Sequence, residues 1–214
     1  MNAHVQSDTA DTAPARGIHM PRFYDLLLFL LTRGRERAYR RDVLDLAGAA
    51  PGKHILDIGC GTGTQAIAAW RRVRPGGSVT GVDVSNEMLA VAQRKAERAG
   101  ADIAFRAASA TALPFDDDRF EIVTVTTVMH MIAERDWSRC FAEILRVLRP
   151  DGQLLLVDYA GATGDRKGFV ASHGVHGRFD LHRLEQPLAE SGFSQIAGGP
   201  TGWMDVHYLR GTKR

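Results

Sequence analysis

The sequence predicts a doubly wound α/β fold, in which a mostly parallel sheet of seven strands carries helices on both faces. From Gly52 onward, short β-branched or aliphatic runs alternate with longer amphipathic stretches, as expected for successive β-α-β units. Two further runs near the end lie close together in sequence, which predicts an antiparallel hairpin at the edge of the sheet. A stretch of about fifty residues precedes the first run. We expect it to form helices that cover the domain.

Each predicted element follows from a local pattern. Strands are predicted over 54–58, 78–82, 103–106, 120–126, 153–157, 193–197 and 205–209. Helices are predicted over 64–74, 85–99, 137–148 and 181–191. The second of these helices has the clearest boundaries, because Ser85 is a favourable N-cap and Gly100 stands where the helix should end. After the third helix, Pro150 and Gly152 predict a turn into the next strand.

Composition excludes several classes of protein. Of 214 residues, 44% are hydrophobic and 24% are charged, which is ordinary for one globular domain. A net charge of +2 is too small to indicate a nucleic-acid partner. The longest apolar run, 26–31, is too short to cross a bilayer. Two isolated cysteines predict neither a disulfide framework nor a zinc site.

A glycine loop directly follows the first predicted strand. Gly59, Gly61 and Gly63 allow a tight turn and a close approach of a ligand to the backbone. The helix after them offers free N–H groups to an anion. Asp83 ends the second strand, where a carboxylate can accept hydrogen bonds from both ribose hydroxyls. The alternative is that Asp83 merely caps the next helix.

The spacing of the glycines separates two classes of cofactor. A dinucleotide fingerprint of the form G-x-G-x-x-G requires glycine at position 64, where this chain has threonine. The loop of this chain therefore does not match that of a nicotinamide-dependent oxidoreductase, which is one alternative outside the favoured class. A catalytically inactive module that only binds the cofactor is a second alternative, because a binding loop does not establish turnover.

Several motifs in order resemble the class I S-adenosylmethionine-dependent methyltransferases. Residues 56–63, LDIGCGTG, resemble the first motif of that family, and 82–88, VDVSNEM, resemble the second. The stretches 113–115, LPF, and 145–152, LRVLRPDG, are similar to the segments before the fourth and fifth strands. The similarity is greatest to the ubiquinone/menaquinone-biosynthesis branch, which is methyltransferase type 11-like. It implies a Rossmann-like fold and S-adenosyl-L-methionine as cofactor, leaving as S-adenosyl-L-homocysteine.

The resemblance also implies which residues contact the cofactor. They are Asp57, Gly59, Cys60, Gly61, Gly63, Asp83, Val84, Met88, Ser109, Ala110 and Thr126. Many relatives carry an acid that binds the adenine amino group where this chain has Ser109 and Ala110, and an uncharged hydroxyl binds more weakly. Tyr24 is a further candidate, because its ring could contact the sulfonium.

Histidines are the candidate general bases, because their pKa lies near the working pH. His130 follows the fourth strand, at the edge of the sheet where ligands bind in this architecture. The alternative is a structural histidine that bonds to the backbone. His173, with His176 nearby, lies in the segment after the fifth strand and is the second candidate. No metal is expected, because this His-x-x-His pair has no third ligand nearby.

The expected activity is methyl transfer to carbon or oxygen of a small, apolar or aromatic acceptor. The apolar stretch 23–31, flanked by arginines, predicts a buried helix. Alternatively it lies in a membrane interface, which would suit a phospholipid N-methyltransferase. The sequence does not predict an oligomeric state.

The predicted organisation is a short tail and one domain. Residues 1–17 read as a disordered tail rather than a signal peptide, so a cytoplasmic protein is expected. The single domain spans 18–214. It comprises a helical cover at 18–50, a cofactor-binding core at 51–160 and an acceptor-side segment with the last strands at 161–214.

Overall fold

A computed structural model describes residues 32–161, 179–203 and 205–214. Seven strands form one sheet. They are β1 His54–Ile58, β2 Ser78–Asp83, β3 Ala104–Ala107, β4 Phe120–Thr126, β5 Leu148–Tyr159, β6 Phe193–Pro200 and β7 Val206–Lys213. The order across the sheet is β3-β2-β1-β4-β5-β7-β6. The first five strands pair in parallel, and β7 pairs antiparallel with both β5 and β6. The predicted fold class is confirmed, including the C-terminal hairpin.

Helices cover both faces of the sheet. They are α1 Glu36–Leu46, α2 Thr64–Val73, α3 Asn86–Arg98, α4 Trp137–Val147 and α5 Glu185–Glu190. The side chains of β1 alternate between the faces, with Ile55 in one hydrophobic cluster and Leu56 in the other. The cluster around Ile55 contains residues of α1 and α2, and the cluster around Leu56 contains residues of α4 and α5. The sheet is therefore doubly wound.

The predicted boundaries of α3 are confirmed by its end groups. The Ser85 hydroxyl accepts a hydrogen bond from the Met88 N–H at 3.3 Å, and Gly100 has a φ of +59° directly after the helix. A side-chain acceptor at the N-cap and a left-handed glycine beyond the last turn are common ways to end a helix.

Several element boundaries differ from the prediction, most of all those of β5 and of the helix predicted over 181–191. β5 begins at Leu148 rather than at 153, because Leu148 pairs with Phe120 before the register shifts and pairing resumes at Gln153. The predicted turn at Pro150 is thus a bulge inside a longer strand. The helix predicted over 181–191 begins as a 3₁₀ turn, Leu181–Leu184, and continues as α5. Pro187 has no N–H to donate to the carbonyl four residues before it, so one continuous α-helix is unfavourable.

Several predictions lie outside the described residues. They concern the tail at 1–17, the apolar stretch 23–31 with Tyr24, and the segment with His173 and His176. The part of the chain that is described does include α1, which falls within the predicted helical cover. No helix among these residues is long and apolar enough to cross a membrane.

Candidate cofactor and acceptor site

The glycine loop connects β1 to α2, and its three glycines differ in what an added side chain would contact. All three have a positive φ, of 68°, 52° and 76°. A Cβ on Gly59 would lie 2.2 Å from a methyl group of Val128, and one on Gly63 would lie 2.8 Å from Cβ of Ala92. A Cβ on Gly61 would meet nothing within 4 Å. Packing therefore requires the outer two glycines, and the backbone is open to a ligand at Gly61.

Asp83, at the carboxyl end of β2, connects the loop to the start of α3. Its Oδ2 accepts a hydrogen bond from the Gly61 N–H at 2.9 Å, and its Oδ1 accepts one from the Ser85 N–H at 2.9 Å. The side chain that caps α3 is Ser85 itself. A carboxylate can accept about four hydrogen bonds, so Asp83 retains capacity for the hydroxyls of a ribose.

Val84, the residue after Asp83, has an exposed apolar side chain. Its exposure of 73% makes it one of two exposed large hydrophobic residues in the part of the chain that is described. At the end of the neighbouring strand β3, the Ala108 N–H donates to the Asp83 carbonyl, which brings Ser109 and Ala110 to the same edge. An apolar ring that covered Val84 would remove this exposed surface from water. The edge suits a planar base.

The side chain of Ser109 already has partners in its own turn. Its hydroxyl lies 2.8 Å from that of Thr111 and accepts a hydrogen bond from the Thr111 N–H at 3.2 Å. Ala110 is buried beside it, whereas Met88 on α3 is half-buried. The predicted contacts of this stretch with a base remain predictions.

The side chains of Asp57, on β1, and of Cys60, in the loop, are both buried. Thr124 donates a hydrogen bond to Asp57 Oδ1 at 2.8 Å, and burial nevertheless raises the pKa of this carboxyl to about 6. Burial also raises the pKa of the Cys60 thiol well above its usual value, so this side chain is uncharged and contributes only to packing. The hydroxyl of Thr126, at the end of β4, is buried with no partner among the described residues.

His130 lies on the acceptor side of the same sheet edge. It belongs to a 3₁₀ turn, Met129–Met131, that follows β4. Its Nδ1 lies 2.9 Å from Oδ1 of Asp158 on β5, and its backbone N–H donates to Oδ2 at 3.2 Å. The two side chains are only 7% and 1% exposed. With Nδ1–H donating to the carboxylate, Nε2 is the basic nitrogen of the ring, as a general base requires.

Aromatic rings surround this histidine. The Tyr159 ring meets His130 edge-to-face with centroids 5.2 Å apart, and the Phe179 ring does so at 6.2 Å. Phe179 also meets the ring of Trp137 at 6.2 Å. Aromatic side chains in this arrangement can pack against a flat apolar ligand. The structure thus brings His130 together with side chains that the sequence reasoning missed. Asp158 alone had a detectable feature, since it lies near the carboxyl end of a strand, as Asp83 does.

The order of the strands, the open glycine loop and the acid at the end of β2 are features of the class I S-adenosylmethionine-dependent methyltransferases. Residues 55–152 match the family model described as "Methyltransferase domain". The fold and the motifs of the chain are those of this class, and its sequence is similar to quinone-biosynthesis C-methyltransferases.

The relatives support this placement. The chain is 40% identical over 136 residues to the demethylmenaquinone methyltransferase of Thermus thermophilus, which covers 64% of this chain and 60% of that protein. It is 33% identical over 139 residues to the ubiquinone/menaquinone biosynthesis C-methyltransferase UbiE of Vibrio vulnificus, covering 64% and 53%. The chain thus spans less than two thirds of these relatives. A SAM-dependent methyltransferase from Aquifex aeolicus has a TM-score of 0.72 at 17% identity, covering 91% of this chain and 99% of that one, which shows the fold.

Proposed function

We propose that this protein transfers a methyl group from S-adenosyl-L-methionine to a small, ring-bearing apolar acceptor, at carbon or oxygen. The observation that carries the proposal is the buried His130–Asp158 pair, which lies beside aromatic rings at the same sheet edge as the glycine loop. The names of the relatives, a demethylmenaquinone methyltransferase and a quinone C-methyltransferase, support an apolar ring and favour carbon.

The described residues fit the cofactor in shape and in polarity. When bound, S-adenosyl-L-methionine supplies a methyl group on a sulfonium, which is a strong electrophile. Asp83 would accept hydrogen bonds from the ribose hydroxyls, and Val84 would pack on the face of the adenine. The backbone at Gly61 is open to the ligand. These three groups together suit a nucleoside with a free sugar.

His130 would act on the acceptor side as the general base. Its Nε2 would take the proton of a ring hydroxyl, which makes the oxygen or the adjacent ring carbon more nucleophilic. Asp158 would hold the tautomer and stabilise the imidazolium that forms. The rings of Tyr159 and Phe179 would orient a flat acceptor and exclude water. Orientation alone can contribute about 7–11 kcal/mol, and a general base about a hundred- to ten-thousandfold in rate.

Calorimetric titration tests the cofactor half of this proposal. Both S-adenosyl-L-methionine and S-adenosyl-L-homocysteine should bind. Asp83→Ala should weaken each by at least tenfold, about 1.4 kcal/mol, because the ribose loses its acceptor. Asp116→Ala, which removes an exposed carboxylate before the amino end of β4, is the matched control and should bind like the wild type. If neither ligand binds the wild type, the proposal is wrong.

Turnover assays with quinols and simple phenols test the acceptor half. Methylated product and S-adenosyl-L-homocysteine should form together, and the position of the new methyl distinguishes carbon from oxygen. Tight cofactor binding without turnover on any apolar ring would favour the inactive binding module. The methyltransferase match leaves the oxidoreductase alternative without support. The phospholipid alternative rests on 23–31, outside the described residues, and stays a prediction.

A further inference from the structure

A lysine near the end of α3 is bonded to the glycine loop. Lys95, in the last turn of α3, is half-buried, and its Nζ donates to Oγ1 of Thr62 at 3.0 Å and also to Oγ1 of Thr64. The two hydroxyl oxygens lie 3.4 Å apart. Thr62 directly follows Gly61, and Thr64 is the first residue of α2. One ammonium group therefore connects the loop to the helix that follows it.

The same face of α3 packs against the loop. A Cβ on Gly63 would lie 2.8 Å from Cβ of Ala92, which precedes Lys95 by three residues and so lies on the same side of the helix. Gly63 is also the N-cap residue of α2, and a glycine has no side chain with which to cap the first turn. Lys95 thus supplies a side-chain contact at a helix start where the cap residue supplies none.

A loop built on glycines depends on such contacts. Gly59, Gly61 and Gly63 all have a positive φ, and glycine loses more conformational freedom on ordering than any other residue. A ligand that binds one conformation of a loop loses affinity in proportion to the molecules that are in other conformations. Contacts that hold the loop before the ligand arrives therefore raise the affinity.

We infer that Lys95 is a positioning residue for the cofactor loop. Asp83 holds the loop from the side of β2, through the Gly61 N–H, and Lys95 holds it from the side of α3, through the hydroxyls of Thr62 and Thr64. The inference rests on the proposed function, in which the backbone at Gly61 contacts the cofactor. The glycine motif itself does not identify Lys95, which lies 33 and 31 positions from its two partners.

Calorimetric titration with S-adenosyl-L-homocysteine tests this role. Lys95→Met removes the donors and should weaken binding about fivefold or more, because a smaller fraction of the molecules has the loop in the binding conformation. Lys95→Arg keeps a charged donor and should recover part of the loss. Arg98→Met is the matched control, since Arg98 is exposed in the same last turn and shares the effect of a positive charge on the helix end. Its affinity should stay within about twofold of wild type.

A double-mutant cycle shows whether Lys95 acts through the two threonines. Thr62→Val combined with Thr64→Val preserves the shape of both side chains and removes both acceptors, so it should weaken binding as Lys95→Met does. Adding Lys95→Met to this background should change the affinity by less than about twofold, because the bonds are already absent. If the two effects multiply instead, Lys95 acts by another route and the inference is wrong.

Amide hydrogen exchange separates a role in the loop from a role in the stability of α3. Without ligand, the amides of residues 61–64 should exchange faster in Lys95→Met than in the wild type, whereas those of α3 should not. Saturating S-adenosyl-L-homocysteine should remove the difference, since the ligand then holds the loop. The threonine pair serves as the second variant if Lys95→Met does not fold.

The outcomes distinguish the inference from the proposed function. Unchanged exchange of the loop, or equal affinity of Lys95→Met and the wild type for S-adenosyl-L-homocysteine, would overturn the role of Lys95 and leave the proposed function intact. If the wild type binds no S-adenosyl-L-homocysteine, the proposed function fails and Lys95 has no cofactor loop to position.

Discussion

The two halves of the sheet edge are built in different ways. On the side of β1 and β2, the main chain makes the site, since an N–H of Gly61 bonds to Asp83 across the loop. On the side of β4 and β5, side chains make it, since the ring of His130 bonds to Asp158. The first half uses a contiguous loop and one acid. The second half gathers residues that are up to about fifty positions apart, from His130 to Phe179.

Both halves nevertheless use an aspartate near the carboxyl end of a strand, and burial decides what each one does. Asp83 is partly exposed and retains acceptor capacity, which suits the hydroxyls of a ligand. Asp158 is fully buried, and its oxygens accept from the ring and the backbone of His130 and from the Tyr159 N–H. An exposed acid can bind a ligand, whereas a buried acid fixes a neighbouring side chain. The residue type alone does not determine the role.

The largest expected effect is on the rate, at His130. His130→Asn retains a donor to Asp158 but removes the basic nitrogen, so kcat should fall about a hundred- to ten-thousandfold. The affinity for S-adenosyl-L-homocysteine should stay within twofold of wild type, because the cofactor half is built separately. Steady-state kinetics and calorimetry on the same preparation measure both quantities.

Asp158→Asn is the companion variant for this comparison. It preserves the shape of the carboxylate but can no longer stabilise an imidazolium, so it should also lower kcat more than cofactor affinity. If His130→Asn turned over at the wild-type rate, His130 would be a structural residue and the division between the halves would need another basis.

The next effect concerns the stability of the cofactor half. Gly59→Ala combines a left-handed backbone, about 1–3 kcal/mol, with overpacking against Val128, about 1–3 kcal/mol. Its free energy of unfolding should fall by roughly the sum. Gly61→Ala adds only the backbone strain, because its Cβ meets nothing within 4 Å. Its main effect should be at least a tenfold loss of cofactor affinity, since the Cβ would enter the space that the proposed function gives to the ligand.

Urea unfolding and calorimetry separate the two glycines. Val128→Ala in the Gly59→Ala background should recover part of the lost stability, because it removes the two methyl groups that the new Cβ meets. Equal losses of stability in both single variants would show that the backbone strain dominates and that packing against Val128 is unimportant.

The difference between the halves also explains what the sequence could predict. The loop and the Ser85 cap are short-range features, so residue type and spacing were sufficient, and Asp83 was found from its position at the end of the second strand. His130 was found from its position after a strand, but its partner was not, because the bond to Asp158 joins residues 28 positions apart. Phe179 carries no periodic pattern of its own. Its contact with Trp137 joins residues 42 positions apart.

A pair of histidines joins the last strand to the turn before α5, beside the acceptor half. His182, in the 3₁₀ turn before α5, has its Nε2 2.9 Å from Nδ1 of His207 on β7, and its Nδ1 2.8 Å from Glu185 Oε1. His207 lies opposite Asp158 in the register of β5 and β7. The pair attaches the turn at 181–184 to the hairpin strand.

The smallest expected effect is the pH dependence of stability at His207. Burial, and then the charge of His182, lower the pKa of His207 below its ordinary value of 6.5, although Asp180 and Asp205 oppose the shift. The folded state therefore binds fewer protons than the unfolded state. The contribution of His207 to the free energy of unfolding is lost as the pH falls from about 6.5 through the folded pKa.

Urea unfolding at about pH 8 and pH 5.5 should show a smaller loss of stability for His207→Gln than for the wild type. Tyr208→Phe, at the next position of β7, leaves both histidines in place and should keep the wild-type difference. If His207→Gln kept it too, the attachment of the turn would not depend on this proton.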